Sequence, residues 1–245
     1  MLKVIRADLH IHTCLSPCGD LKMSPQNIIK KALQENLDVI AISDHNSAEN
    51  ARAVMAASTG QKPVVFPGME ICTAEEVHVI AFFENLESAS ELQRIVYENL
   101  SGENNPNVFG MQVVANESDE VVEFNNRLLI GATDLSVERV ANEIHRLNGL
   151  AIASHIDRES FSIIGQLGFI PDSVKFDALE ISVRMDIAGA RKQFPEYGSY
   201  PIIRNSDAHF LDDIGRAATK LLVGSISFDE IRKAFHNEDG RKILE

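Results

Sequence analysis

The sequence has little of what marks several protein classes. Its three cysteines, Cys14, Cys18 and Cys72, are an odd number without framework spacing. A disulfide scaffold is therefore excluded, and a reducing, cytoplasmic compartment is expected. Cys14 and Cys18 read as small loop residues, because a soft sulfur site would need partners that are not evident. No window approaches 18 apolar residues and the first residues carry no apolar signal core, so neither a membrane span nor export is expected. There is no basic run: 23 Lys and Arg stand against 36 Asp and Glu, a formal net charge of −13. Such a surface repels a phosphate backbone except where bound metal reverses the local field, so long nucleic acid is disfavoured as a partner. Neither a Gly-x-Ser-x-Gly elbow nor a phosphate-cradling Gly-rich loop occurs, which argues against serine-hydrolase and P-loop chemistry. Low-complexity tracts and Pro- or Ser-rich linkers are also missing. The 245 residues, 44% of them hydrophobic, suit one α/β barrel domain over residues 1–245.

The residues that carry chemistry gather where apolar strands run out. In the first strand, residues 6–13, alternation places Asp8, His10 and His12 on one face and Ala7, Leu9 and Ile11 on the other. Imidazole with carboxylate suits Zn, Mn or Fe(II). The apolar run at 39–42 ends in Ser43-Asp44-His45, and 64–66 leads to Gly68-Met69-Glu70. A strand at 77–83 holds His78, one at 150–154 ends at His155, another spans 178–182, and 201–203 leads to Ser206-Asp207-Ala208-His209. Between them, cap and stop residues predict helices over 25–36, 48–58, 90–100 and 137–148, with a last one after Ser227. The rhythm breaks at 102–132, where runs at 111–115 and 121–124 flank Asn116-Glu117-Ser118-Asp119. This stretch reads as an inserted β-hairpin, a surface excursion or dimer arm rather than a lid. Six of the eight histidines fall in or just after predicted strands. At the strand C-termini of a β/α barrel they would meet across one mouth. Together with Asp8, Asp20, Glu70 and Asp207 they predict a metal site; His145 and His236, on helices, read as surface residues.

In order, spacing and residue type, Asp8-Leu9-His10-Ile11-His12-Thr13, Asp20, Ser43-Asp44-His45, Gly68-Met69-Glu70, His78, Ser154-His155 and Ser206-Asp207-Ala208-His209 resemble the four-motif signature of the polymerase and histidinol phosphatase (PHP) superfamily. The resemblance implies a distorted (β/α)7 barrel, TIM-barrel-like, with three divalent metal ions (Zn, Mn or Fe). It implies that His10, His12, Glu70 and Asp207 hold the first ion and Glu70, His78 and His155 the second, with Glu70 bridging. Asp20, His45 and His209 would hold the third; many relatives have histidine where this chain has Asp20. Asp8 and Asp44 have no ligand role in that scheme and are expected to orient imidazoles by accepting the second ring N–H.

The implied activity is hydrolysis of small phosphate esters, nucleotide or other monoester, by a metal-activated hydroxide. The expected partner is accordingly a small-molecule phosphate ester. Arg158 and Arg184, placed at the same mouth, are candidates for a bidentate phosphate contact. The alternatives are an amidohydrolase-type C–N hydrolase, a PHP exonuclease and a non-catalytic PHP module. The first is disfavoured because no lysine stands near the ligand strand ends, the last because no ligand is lost.

Overall fold

In the computed structural model, which describes residues 1–58 and 62–244, the apolar runs become a nine-stranded sheet curled into a nearly closed barrel. Its first four strands are β1 (Lys3–Ile11), β2 (Val39–Ile42), β3 (Val64–Cys72) and β4 (His78–Phe82). The short β5 (Val113–Ala115) and β6 (Val121–Phe124) pair separately as the inserted hairpin. The sheet continues with β7 (Leu150–Ala153), β8 (Ala178–Ile181), β9 (Ile202–Arg204), β10 (Thr219–Val223) and β11 (Lys242–Leu244), in the order β11-β10-β1-β2-β3-β4-β7-β8-β9. The helices are α1 (Pro25–Gln34), α2 (Ala51–Ala57), α3 (Leu86–Glu98), α4 (Pro106–Phe109), α5 (Val137–Arg146), α6 (Ile163–Leu167), α7 (Ile187–Gln193) and α8 (Phe228–Phe235). Among the described residues none is long and apolar enough to cross a membrane.

Local chemistry accounts for most boundaries. Ser136 caps α5, its Oγ accepting Arg139 N–H, and Leu135 and Val140 are both buried beside it. Two helices depart from expectation. α3 begins at Leu86 because Asn85, not a serine further on, caps it by accepting Ser88 N–H at 3.0 Å. α2 begins later than expected because Ser47 Oγ is engaged by Tyr97 Oη at 2.8 Å and Asn50 precedes the helix.

Two features of the sheet decide where the site forms. The first is a reversal. β1, β2 and β3 run parallel, as do β7, β8 and β9, but β4 is antiparallel to both β3 and β7. No helix separates β3 from β4; a turn closed by Thr73 N–H to Val77 O at 2.9 Å does. His78 thus opens its strand at the end where the parallel strands finish. Gly68 permits this close pairing, since a Cβ there would lie 2.1 Å from Ala81 O.

The second feature is a β-bulge. Asp8 pairs with Ile40 and Ile11 with Ile42, so β1 carries one extra residue. Ile5, Ala7 and Leu9 therefore pack in the barrel interior with Val39, Ala41 and Phe66, whereas Ile11 joins the outer core with Ile40 and Ile42. The expected common face of Asp8, His10 and His12 is broken, and only the two histidines turn inward. One inserted residue exchanges the faces of everything beyond it.

The interior is apolar at one end, where Phe228 and Phe235 of α8 meet Phe66 and Phe82, and polar at the other. There the chain closes on itself, Ala208 bridging to Ile11 with His12 N–H to Ala208 O at 3.0 Å. The insertion is more than an excursion. Val113 N–H donates to Cys14 O at 3.0 Å, Asn50 Nδ2 to Val113 O at 2.9 Å, and Asn46 Nδ2 to both Leu129 O and Gly131 O at 2.8 Å. Its inner strand is thereby fastened to the loops around the mouth, while β6 stays exposed.

Candidate metal centre

The polar end of the barrel is organised around Glu70, which is buried on β3. Its Oε1 lies 3.3 Å from His10 Nε2, 3.1 Å from His78 Nδ1 and 3.4 Å from His155 Nε2. Its Oε2 lies 3.1 Å from His45 Nδ1 and 3.6 Å from His12 Nε2. Asp207 Oδ1 approaches His10 Nε2 and His12 Nε2, each at 3.3 Å, and His209 Nδ1 at 3.6 Å. Three sets of potential ligand atoms each fall within 4.8 Å: His10, His12 and Glu70; His45, Glu70 and His78; and His12, His45 and His209.

This donor set fits divalent cations. Glu70 Oε1 and His78 Nδ1 face each other in the buried centre, yet neither has a hydrogen-bond partner among the described residues. A buried carboxylate oxygen left so is costly unless a cation faces it. Carboxylate with imidazole is also the chemistry that holds zinc, manganese or iron.

Some expected residues occupy other places. Asp8 lies before the bulge and so on the other face, its Oδ1 accepting Ser206 N–H and its Oδ2 Gly215 N–H, each at 3.0 Å. It secures the backbone of the last motif rather than an imidazole, and burial raises its carboxyl to about 6. The partner of His10 Nδ1 is instead Glu180 Oε2, at 3.0 Å. Glu180 also accepts Asn205 Nδ2 at 2.8 Å and His155 N–H at 3.2 Å, so one carboxylate joins three motifs. A single acid within the apolar run Ala-Leu-Glu-Ile of β8 was the sequence signal for it. His12 Nδ1 lies 2.9 Å from Ser16 Oγ, which donates to Asp44 Oδ1 at 2.7 Å. Asp44 therefore acts on an imidazole through one hydroxyl, while its other bonds hold Thr13.

Asp20 is not in the cluster; its Oδ1 accepts Lys22 N–H at 2.7 Å in a surface turn. Cys18 is an exposed loop residue whose thiol lies near His209 and His45 of the third set. Partial desolvation pushes its thiol up, but the two imidazoles outweigh this and bring it to about 6. Composition hid this because a lone sulfur shows no partners until His45 and His209, distant in sequence, fold beside it. Arg158 reaches the mouth, its Nη2 2.5 Å from Asp207 Oδ2 and its side chain 42% exposed. Arg184 is exposed with its backbone N–H on Ser182 Oγ at 3.2 Å, and it makes no side-chain contact to the cluster among the described residues.

The electrostatics are those of an interlocked cluster. Burial opposes charge on Glu70, but the neighbouring imidazoles, His78 and His10 foremost, hold its carboxyl well below the usual range. His12 is pushed well below its ordinary value, by burial first and then by repulsion from His209 and His45. It is thus kept neutral, the form that binds a metal. The backbone is strained at the same place: Asn46, His155 and Asp207 have φ of 51°, 29° and 50°. Such conformations cost about 1–3 kcal/mol each and persist where the surroundings fix them.

The barrel mouth thus brings six imidazoles and two carboxylates together as potential ligands for divalent cations, within a β/α-barrel type of fold. The chain belongs to the PHP domain family, which it matches over residues 8–169, and residues 195–239 match the PHP-associated family. The uncharacterized protein YqxK of Bacillus subtilis is 33% identical over 107 residues, 42% of this chain and 27% of YqxK. The lesion-specific endonuclease Q of Pyrococcus furiosus superposes on 99% of this chain with a TM-score of 0.79 and 22% identity, over 58% of its own length. A complex of endonuclease Q with a 27-mer duplex, carrying an abasic lesion at the active site, superposes with a TM-score of 0.76 and 21% identity, again over 99% of this chain and 59% of that one. A proposed metal-dependent phosphoesterase from Bifidobacterium adolescentis matches 95% of this chain and 96% of its own at a TM-score of 0.58 and 15% identity. The chain therefore spans about a quarter of YqxK and less than two thirds of endonuclease Q.

These likenesses correct the view that long nucleic acid is disfavoured and that the partner is a small phosphate ester. Endonuclease Q, which shares this fold over 59% of its length, takes a DNA duplex as substrate with the abasic lesion at its active site. A net charge of −13 is a property of the whole surface, whereas substrate meets the local field of the mouth, which bound cations invert.

Proposed function

We propose that this chain is the metal-dependent hydrolytic unit of a phosphodiesterase acting on nucleic acid. The observation that carries this reading is the Glu70-centred cluster, with unpartnered buried ligand atoms and the Arg158 guanidinium at its edge. When bound, divalent ions polarise phosphoryl oxygens and generate a strong oxygen nucleophile from water near neutral pH. His10, His12, Glu70 and Asp207 would hold one ion, and Glu70, His78 and His155 a second. His45 and His209 would hold a third, with Cys18 in place of the expected Asp20.

The remaining roles follow from contacts. Glu180 fixes the ring of His10 so that Nε2 faces Glu70 and Asp207. Ser16, held by Asp44, does the same for His12. Arg158 is a half-exposed cation able to exchange part of its Asp207 contact for a non-bridging phosphate oxygen. The likeness to endonuclease Q supports nucleic acid as the substrate class.

The test is phosphodiester hydrolysis by the metal-replete protein on three DNA substrates: an abasic-site duplex, an unmodified duplex and a single strand. The expected result is chelator-sensitive cleavage of at least one of them, lost in Glu70→Ala. Cleavage no faster than that of Glu70→Ala on all three would overturn the proposal.

A further inference from the structure

Phe161 is the residue at the mouth whose presence the stability of the fold does not explain. Its φ is +59°, a region that bulky L-residues seldom adopt. Its side chain offsets little of that strain, because the residue is 41% exposed. The structural bond made here uses only backbone: Phe161 O accepts His78 N–H at 2.8 Å. Asn or Gly would make that bond with less strain. What the phenylalanine adds is a ring stacked on the His78 imidazole, with centroids 4.7 Å apart and planes inclined by 24°.

The position of this ring is specific. The loop from β7 to α6 begins with His155 beside Glu70, passes Arg158 beside Asp207 and ends with Phe161 over His78. Metal ligand, cation and aromatic face thus follow one another at three-residue intervals. A nucleotide presents a phosphate and a flat base in the matching sense, and base-on-aromatic stacking tolerates any base because each has a π-face. Strain kept at a site without return in burial is the usual mark of a functional position.

We propose that Phe161 is a stacking platform for a nucleobase flanking the phosphate that lies at the Glu70 centre. His78 backs the ring on one side, and the residue keeps 41% of its surface exposed. This rests on the nucleic-acid reading above, but it concerns binding, which can be measured whether or not cleavage follows.

The experiment compares equilibrium binding of two fluorescein-labelled strands to the metal-replete protein. One is a thymidine octamer; the other has the same backbone with tetrahydrofuran in place of every base. The wild-type protein should bind the base-bearing strand about tenfold or more tightly. Phe161→Leu, which still covers His78 but has no π-face, should lose most of that preference with metal content unchanged. Phe161→Trp should keep it, and Phe169→Ala, which removes another exposed ring beyond α6, should leave it unaltered. An equal affinity of the wild type for both strands, or a preference undiminished in Phe161→Leu, would overturn the proposal. So would loss of metal in Phe161→Leu with equal weakening on both strands, which would assign the ring to shielding His78. A base preference that depends on Phe161 without cleavage of any DNA would uphold the platform and refute the hydrolytic reading.

Discussion

At the scale of single residues, Glu70 governs the centre because both of its oxygens face imidazoles while His78 reaches only one of them. Glu70→Ala is expected to remove more bound metal than His78→Ala, as measured by elemental analysis of the two variants at equal metal activity; full metal retention by Glu70→Ala would rule out a bridging role. Cys18 gives a spectroscopic prediction. With cobalt(II) bound, a thiolate ligand beside His45 and His209 should produce an intense sulfur-to-metal charge-transfer band in the near ultraviolet. The band should vanish in Cys18→Ser and survive in Asp20→Ala, and its absence from the wild type would remove Cys18 from the ligand set. The sequence displayed the histidines, Glu70 and Asp207 because polar side chains at strand ends interrupt apolar runs. It did not display how Cys18 and Asp20, two residues apart in one loop, stand toward His45 and His209, because the fold of that loop sets the direction of each side chain.

At the scale of elements, short contacts from unlike segments hold the barrel's outer layer. Asp177, before β8, accepts His145 Nε2 of α5 at 2.9 Å, Ala151 N–H of β7 at 2.7 Å and His236 Nε2 beyond α8 at 3.0 Å. Burial pushes its carboxyl up, but these hydrogen bonds, that from His145 first, outweigh burial and hold it below the ordinary carboxylate range. The sign follows from linkage: a depressed folded-state value stabilises above the unfolded value and is lost as pH falls through the folded one. Asp177→Asn should therefore cost about 1–3 kcal/mol at pH 7. The difference from wild type should narrow as pH falls below roughly 4; urea titrations at pH 7 and pH 3 measure it, and an equal difference at both would refute the assignment. His145 and His236, which read from sequence as surface residues, are thus tied into the fold by an acid that helical periodicity could not connect with them. The β3–β4 hairpin shows the same limit. The strand at 77–83 was legible as a strand, but its direction was not, because an apolar run reads alike in both directions.

At the scale of the whole molecule, the centre lies at the polar end of a barrel whose other end is sealed by α8, and it requires residues from Leu9 to His209 to meet. A cation that binds this arrangement and not the unfolded chain stabilises the fold by mass action, about 2.7 kcal/mol at a hundredfold excess over Kd. Chelation should consequently lower the thermal midpoint by about 5–10 °C, reversibly on adding metal back; a midpoint unmoved by chelator in scanning calorimetry would show that no ion is resident. The sequence by itself determined the kinds of candidate ligand, their order along the chain, the strands they terminate and the interruption at 102–132. All of these are written in local periodicity and residue type. Only the tertiary structure decided that a bulge turns Asp8 away from His10 and His12, that β4 runs backward and so brings His78 to the mouth, and that Glu180 orients His10. It likewise decided that the insertion is fastened to the loops around the site. Each of these depends on pairing register or on side chains converging from distant segments, and hydrogen bonds between strands are formed by backbone groups that every residue carries alike.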